Sequence, residues 1–239
     1  MAASKDVLDA ELGLDEAGRG PMLGPMVMAV VALSPQAALA LGELGVTDSK
    51  RFGAGEKAHH KRRTLIAEIT RRACHVEVAV VEVAEIDEHV RAGRLNHLER
   101  RVAEELLSRA PRCARLFADG KRLFEPLARR IPGLCAEDKA DSRFVSVAAA
   151  SLCAKVRRDE LWLQICERYR PDFPGLLDGM AGGGYVNEAT RRFLRAYATR
   201  HHRLPEEARL SWPREFLKGL LPEEAPVLEL GLSAEEKWS

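Results

Sequence analysis

Two apolar stretches, Gly13 to Ala17 and Gly24 to Leu33, flank a Gly-Arg-Gly-Pro turn at Gly18 to Pro21. This is the feature that most constrains the fold, because apolar runs bounded by glycine and proline read as paired strands. The first stretch carries two adjacent carboxylates, Asp15 and Glu16, at its end. On a regular strand such neighbours point to opposite faces. Both can serve one site only where the pleat breaks, and the glycine-rich turn is expected to supply that break.

Further elements follow from periodicity. Val76 to Val83 alternates enough to read as a strand, and Glu56 to Ala73 has helical spacing at Leu65, Ile66, Ile69 and Ala73. The other face of that helix is basic, with Lys57, Lys61, Arg62, Arg63, Arg71 and Arg72. A second helix is expected over Asn96 to Ser108. Ala114 to Gly120, ARLFADG, reads as a buried strand that delivers Asp119 to its C-terminal edge. Leu134 to Glu137 is a further short strand. Phe144 to Tyr169 reads as a long helix whose small residues, Ala148 to Ser151, allow close approach to a sheet. From Pro171 a Pro- and Gly-rich loop leads to a helix capped by Asn187 and running to about Arg200. Strands come early and helices late, which predicts a mixed α/β sheet packed by helices, with a helical C-terminal extension.

Hydrophobic residues make up 46% of the 239, enough for a substantial core. No run of about eighteen apolar residues reads as a membrane span. The opening MAASKDVLDAEL lacks the layout of a secretory signal, and five scattered cysteines form no C-x-x-C pair. Reduced thiols and a cytoplasmic location are the expectation. Net charge is +1, but unevenly spread: residues 222–239 carry five glutamates and one lysine, leaving that tail at −4 and the rest at +5. A modestly basic body is compatible with nucleic-acid binding without establishing it.

Two carboxylates at one locus are costly unless a cation neutralises them. Oxygen ligands without a nearby His/Cys cluster favour a hard ion such as Mg²⁺ or Mn²⁺. Asp119 is a third candidate ligand, and Asp138 and Asp141 are candidates for a fourth. Carboxylates reached from separate strand ends suit two-metal phosphodiester hydrolysis. The turn matches neither nucleotide-loop pattern, G-x-x-x-x-G-K-[ST] nor G-x-G-x-x-G.

The segment GLDEAGRGPMLGP closely resembles the opening signature of the ribonuclease HII (type 2 ribonuclease H) family. TDSKRF (Thr47 to Phe52), ADGKR (Ala118 to Arg122), KADSRFVSVAAASLCAKVRRD (Lys139 to Asp159) and GGGYVNEATRRFL (Gly182 to Leu194) resemble its later motifs in family order. The resemblance implies an RNase H-like fold: a mixed five-stranded sheet flanked by helices, with a helical C-terminal part. It implies cleavage of RNA in RNA–DNA hybrids and 5′ to ribonucleotides embedded in duplex DNA, leaving 5′-phosphate and 3′-hydroxyl ends. Carried over by motif, Asp15, Glu16, Asp119 and Asp141 are the metal-binding acids, with Asp141 preferred to Asp138. The Gly18-Arg19-Gly20 backbone reads the ribose 2′-hydroxyl, and Arg19 helps place the nucleic-acid backbone. Tyr185 stacks beside the next deoxyribose, and Lys50 holds a phosphate. Lys155 is either a phosphate contact or a helix-surface residue. The implied organisation is a catalytic domain over 1–170, a helical substrate-binding part over 171–221 and a flexible acidic tail over 222–239. A monomer is expected, and no motif names a protein partner.

The chain departs from the family pattern in two places. Gly182-Gly183 stands where a His-Lys pair commonly precedes Gly-Tyr, so weaker substrate binding is expected. In HHRLPEEARLSWP, His201 to Pro213, the His-Arg is separated from the Ser-Trp of the usual H-R-x-S-F-like element. Two rival readings share the acids. One is another RNase H-like nuclease without 2′-hydroxyl dependence, and the other is a hybrid-binding protein with weakened catalysis.

Overall fold

Strand β1 (Val7–Ala17) and strand β2 (Met26–Leu33) pair antiparallel, with Asp15 opposite Ala29 and Glu16 opposite Met28. They come from a computed structural model that describes residues 7–47, 53, 56–177, 183–212 and 219–220. All of β2 is buried. Its even-numbered residues, Met26 to Ala32, join one hydrophobic cluster, and Val27, Ala29, Val31 and Leu33 join another. A strand covered on both faces needs such an uninterrupted apolar run.

Strand β3 (His75–Val81) pairs antiparallel with β2, while β4 (Cys113–Asp119) and β5 (Leu134–Glu137) extend the other side in parallel. The sheet has five strands in the order β3-β2-β1-β4-β5. Seven α-helices are present among the described residues: α1 (Pro35–Glu43), α2 (Glu56–Arg72), α3 (Val83–Arg91), α4 (Leu95–Arg109), α5 (Lys121–Ala128), α6 (Val145–Tyr169) and α7 (Glu188–His201). The mixed five-stranded sheet flanked by helices agrees with the fold expected from sequence. Helices α1, α3 and α5 were not expected, and β3 stops two residues before Val83, which instead opens α3.

One face of the sheet is covered by α1, α2 and the first half of α6, through Leu41, Leu65, Ile69 and Ala148 to Ala150. The other is covered by α3, α4 and α5, through Ile86, Leu98, Val102, Leu106 and Phe124. Helix α6 lies directly on the backbone of β1. A Cβ on Gly13 would fall 2.2 Å from the carbonyl carbon of Ser146 and the nitrogen of Val147. The Ser146 hydroxyl donates to Glu11 Oε1 at 2.6 Å and ties the same two elements. Asn187 caps α7 by accepting from the Thr190 N–H at 2.9 Å, a bond worth about 1 kcal/mol. Phe173, Phe193 and Tyr197 belong to the same hydrophobic cluster as Leu12 and Leu14 of β1, so the chain after Pro171 packs onto the sheet's own core.

Candidate active site

Asp15 stands near the end of β1, Asp119 is the last residue of β4, and Asp141 lies in a short 3-10 turn (Ala140–Ser142) just after β5. One carboxylate oxygen from each of the three lies within 4.8 Å of the other two. The carboxyl ends of parallel strands are where open α/β sheets bind ligands. The Asp119 side chain is fixed by the Ala140 N–H, which donates to its Oδ1 at 2.9 Å. Gly120, at φ 100°, turns the chain sharply from β4 into α5. Exposed Asp138 is used elsewhere: its Oδ1 accepts from the Lys121 N–H at 2.8 Å, at the start of α5.

The two adjacent acids do not meet through a broken pleat. β1 stays in register with β2 through Ala17, so the alternation is intact at both residues. Asp15 looks toward α6, where Ser151 hydrogen-bonds its carboxylate. Glu16 looks toward α4, where Glu99 and Arg19 act on it. The expected break comes only after Ala17, and Glu16 lies outside the three-acid group. Both acids still open on one cleft because the strand ends there.

Charge is under-compensated in this cluster. Burial, reinforced by Asp119 and Asp141, pushes Asp15 up to about 7 against the pull of its hydrogen bonds from Ser151 and the Glu16 N–H. Burial, then the charges of Asp15 and Glu99, pushes Glu16 up to about 8, with Arg19 opposing. Glu16 Oε2 is buried and has no hydrogen-bond partner among the described residues. An all-oxygen donor set with surplus negative charge fits a hard divalent cation.

The cleft encloses about 490 Å³, and Asp15, Glu16, Arg62, Asp119, Lys155 and Tyr185 are among its walls. The turn at Gly18, Arg19 and Gly20 lines it too. Gly18 has φ +85°, and a Cβ there would fall 2.8 Å from Arg158 Nε, so only glycine fits. The Arg19 guanidinium is already engaged, donating to Glu99 Oε1 at 2.9 Å and to Asn96 Oδ1 at 2.6 Å. Tyr185 is 49% exposed, and its ring approaches Gly20. Gly184, at φ +76°, packs so tightly on Leu23 that a Cβ would fall 2.9 Å from the Leu23 carbonyl oxygen. Its own carbonyl accepts from the Met22 and Leu23 N–H groups at 2.7 and 3.1 Å. Lys155 pairs with Asp159 at 2.5 Å on the cleft wall. Lys50 and Gly182 lie outside the described residues.

Several residues of the site have roles that the sequence did not assign. Arg62 was visible only as part of a basic helix face, yet it is buried and donates to the Gly53 carbonyl at 2.6 Å. Ser151 was visible only as a small helix residue. Glu99, Arg158 and Arg209 are buried charges that reach the turn from 80 to 191 residues away. Arg158 stands inside the segment Lys139 to Asp159, and Arg209 stands two residues before Ser211 with the R-x-S-F spacing, so both carry a motif signal; Glu99 carries none.

A mixed sheet with a carboxylate cluster at its strand ends, open to a cleft under a glycine turn, defines an α/β protein with a centre suited to hard divalent cations. The sequence model of the family described as Ribonuclease HII matches residues 12–215. Ribonuclease HII of Pyrococcus furiosus is 33% identical over 210 residues, covering 84% of this chain and 87% of that protein. Ribonuclease HII of Thermofilum pendens is 35% identical over 216 residues, covering 84% and 94%. Among solved structures, ribonuclease H2 of Pyrococcus horikoshii OT3 superposes with a TM-score of 0.73 at 27% identity, covering 88% of this chain and 98% of that one. The RNase HII of Archaeoglobus fulgidus, solved as a complex with PCNA, gives 0.69 at 30% identity, covering 91% and 98%. The chain belongs to the ribonuclease HII family.

Proposed function

We propose that this chain is an endoribonuclease that cleaves the RNA of RNA–DNA hybrids and cuts 5′ to ribonucleotides embedded in duplex DNA. The observation that carries the proposal is the convergence of Asp15, Asp119 and Asp141 in a cleft shared with the Gly18-Arg19-Gly20 turn.

In this reading Asp15, Glu16, Asp119 and Asp141 hold Mg²⁺ or Mn²⁺. Ions bound there supply Lewis-acid stabilisation of the attacking and departing oxygens, as two-metal phosphodiester chemistry requires. The acids contribute a fixed, negatively charged cradle. Its charge is costly without a cation, and that cost favours loading. The turn at Gly18, Arg19 and Gly20 lines the same cleft, and in this reading its amides contact the ribose 2′-hydroxyl, which is the group that separates RNA from DNA. Tyr185 offers an exposed ring for the deoxyribose that follows. Arg19, held by Glu99 and Asn96, acts as an ordered positive edge of the cleft. Lys50 serves as a phosphate contact. Residues 171–221 form the part that grips the duplex, and 222–239 an acidic tail. Products carry 5′-phosphate and 3′-hydroxyl ends, and the active species is a monomer in the cytoplasm.

The test is cleavage, in Mg²⁺ and in Mn²⁺, of three duplexes: an RNA–DNA hybrid, a DNA duplex with one ribonucleotide, and all-DNA. The reading predicts that the first two are cut and the third is not. Binding without cleavage would instead indicate a hybrid-binding protein, and cutting of all-DNA would indicate a nuclease indifferent to the 2′-hydroxyl.

A further inference from the structure

Arg209 is fully buried, and its side chain ends beneath the turn that follows the first two acids. Its Nη2 donates to the Gly18 carbonyl at 2.6 Å, its Nη1 to the Arg19 carbonyl at 2.8 Å and its Nε to the Gly24 carbonyl at 2.9 Å. The next carbonyl along, that of Gly20, accepts from Trp212 Nε1 at 3.2 Å. The Trp212 ring also lies 4.9 Å from the Arg209 guanidinium carbon. Carbonyls 18, 19 and 20 are thus all bound from one side, by two residues three apart in sequence.

The segment that carries Arg209 is itself anchored. Asp87 of α3 is buried, and its carboxylate accepts from the N–H groups of Leu210 at 2.8 Å and Ser211 at 3.1 Å, and from the Ser211 hydroxyl. The Arg209 N–H donates to the Met22 carbonyl at 2.9 Å. Burying a guanidinium is costly unless all its donors are used. Here three of its N–H groups are spent on main-chain oxygens of Gly18, Arg19 and Gly24, and a planar fork suits that task where an ammonium would not.

In a trans peptide the carbonyl of one residue and the N–H of the next point in opposite directions. Binding the Gly18 and Arg19 carbonyls from below therefore turns the N–H groups of Arg19 and Gly20 the other way. We propose that Arg209, with Trp212, is a positioning residue that presents the Arg19 and Gly20 amides to the ribose 2′-hydroxyl. The inference rests on the function proposed above. It assigns selectivity for ribose to a buried arginine that touches neither substrate nor acids.

The experiment compares dissociation constants for two duplexes, one with a single ribonucleotide and one all DNA. Fluorescence anisotropy with Ca²⁺ replacing Mg²⁺, and a gel to confirm intact duplex, gives the ratio for wild type, Arg209→Lys and Trp212→Phe. Arg209→Lys keeps the charge and loses the fork. It is expected to weaken ribonucleotide binding about fivefold while all-DNA binding holds, because it unaligns donors worth about one ordinary hydrogen bond. Trp212→Phe keeps the ring and loses one donor, with a smaller drop in the same ratio. A merely structural role would lower the active fraction, seen by titration, and leave the ratio alone. An unchanged ratio in folded Arg209→Lys overturns the inference. Should that variant fail to melt cooperatively, an unchanged ratio in Trp212→Phe overturns it. A wild-type ratio of one overturns the proposed 2′-hydroxyl reading itself, and the inference with it.

Discussion

Asp15 and Glu16 are consecutive in the chain but belong to opposite faces of the sheet. Asp15 is hydrogen-bonded by Ser151 of α6, and Glu16 sits beside Glu99 of α4. The end of β1 is thus flanked by one acid on each side. The helices that cover the sheet set the environment of each.

Asp119, half-buried at the end of β4, can lose its charge and keep its main hydrogen bond. In Asp119→Asn the side-chain oxygen still accepts from the Ala140 N–H, now 2.9 Å from Asp119 Oδ1. We expect a cleavage loss beyond the roughly 100-fold typical of outer-shell changes at metal sites, with hybrid binding retained. Single-turnover kinetics beside a binding assay checks this. Cleavage near the wild-type rate would remove Asp119 from the metal centre.

Stability of the metal-free protein should fall as pH rises. An acid whose pKa is raised on folding holds its proton more tightly in the native state, so ionising it favours the unfolded chain. Asp15 and Glu16, raised to about 7 and about 8 from 3.8 and 4.5, oppose folding progressively across that interval. Melting in EDTA between pH 5 and 8 should show a steeper decline for wild type than for Asp15→Asn. Added Mn²⁺ should restore most at the alkaline end. Equal slopes for the two proteins would contradict the assignment.

Gly13→Ala should strike the fold through the contact between β1 and α6. The new methyl would fall 2.2 Å from the Ser146 and Val147 backbone, which cannot yield as a side-chain tip can. We expect a cost of about 3 kcal/mol or more, at the upper end for overpacking, read from a urea midpoint. A loss below about 1 kcal/mol would mean that α6 shifts freely on the strand.

Tyr185→Ala should impair cutting at a single ribonucleotide more than cutting within long RNA, because only the former places a deoxyribose next to the ring. The ratio of kcat/KM for the two substrates is the readout. Equal losses would leave Tyr185 without a role at the junction.

Much of the fold was legible because burial on both sides demands an unbroken apolar strand, as in Met26–Leu33, and because Asn187 announces a helix. Helix α3 was hidden by the valines before it: Val81 ends a strand and Val83 begins a helix, with no breaker between. Helix α5 is short and contains Pro126, which obscures its period. At the site, Asp15, Glu16 and Asp119 stood out by their place at strand ends. The choice of Asp141 over Asp138 came from family resemblance, since both fall in one loop. His202-Arg203 supplies a His-Arg pair, but the arginine two residues before Ser211 is Arg209. Only the approach of 207–212 to 22–24 shows which arginine lies beneath the turn. Arg209-Leu210-Ser211-Trp212 keeps the R-x-S-F spacing, whereas Glu99 reaches Arg19 only through tertiary packing and leaves no trace in spacing.

The most direct test of the account is to map the cut in a DNA duplex that carries one ribonucleotide, using wild type and Asp141→Asn with Mn²⁺. One incision on the 5′ side of the ribonucleotide is predicted for wild type, abolished by EDTA and by the substitution. Undiminished cutting by Asp141→Asn, or no incision by wild type in either Mn²⁺ or Mg²⁺, would contradict a metal-loaded acid centre beneath a ribose-reading turn.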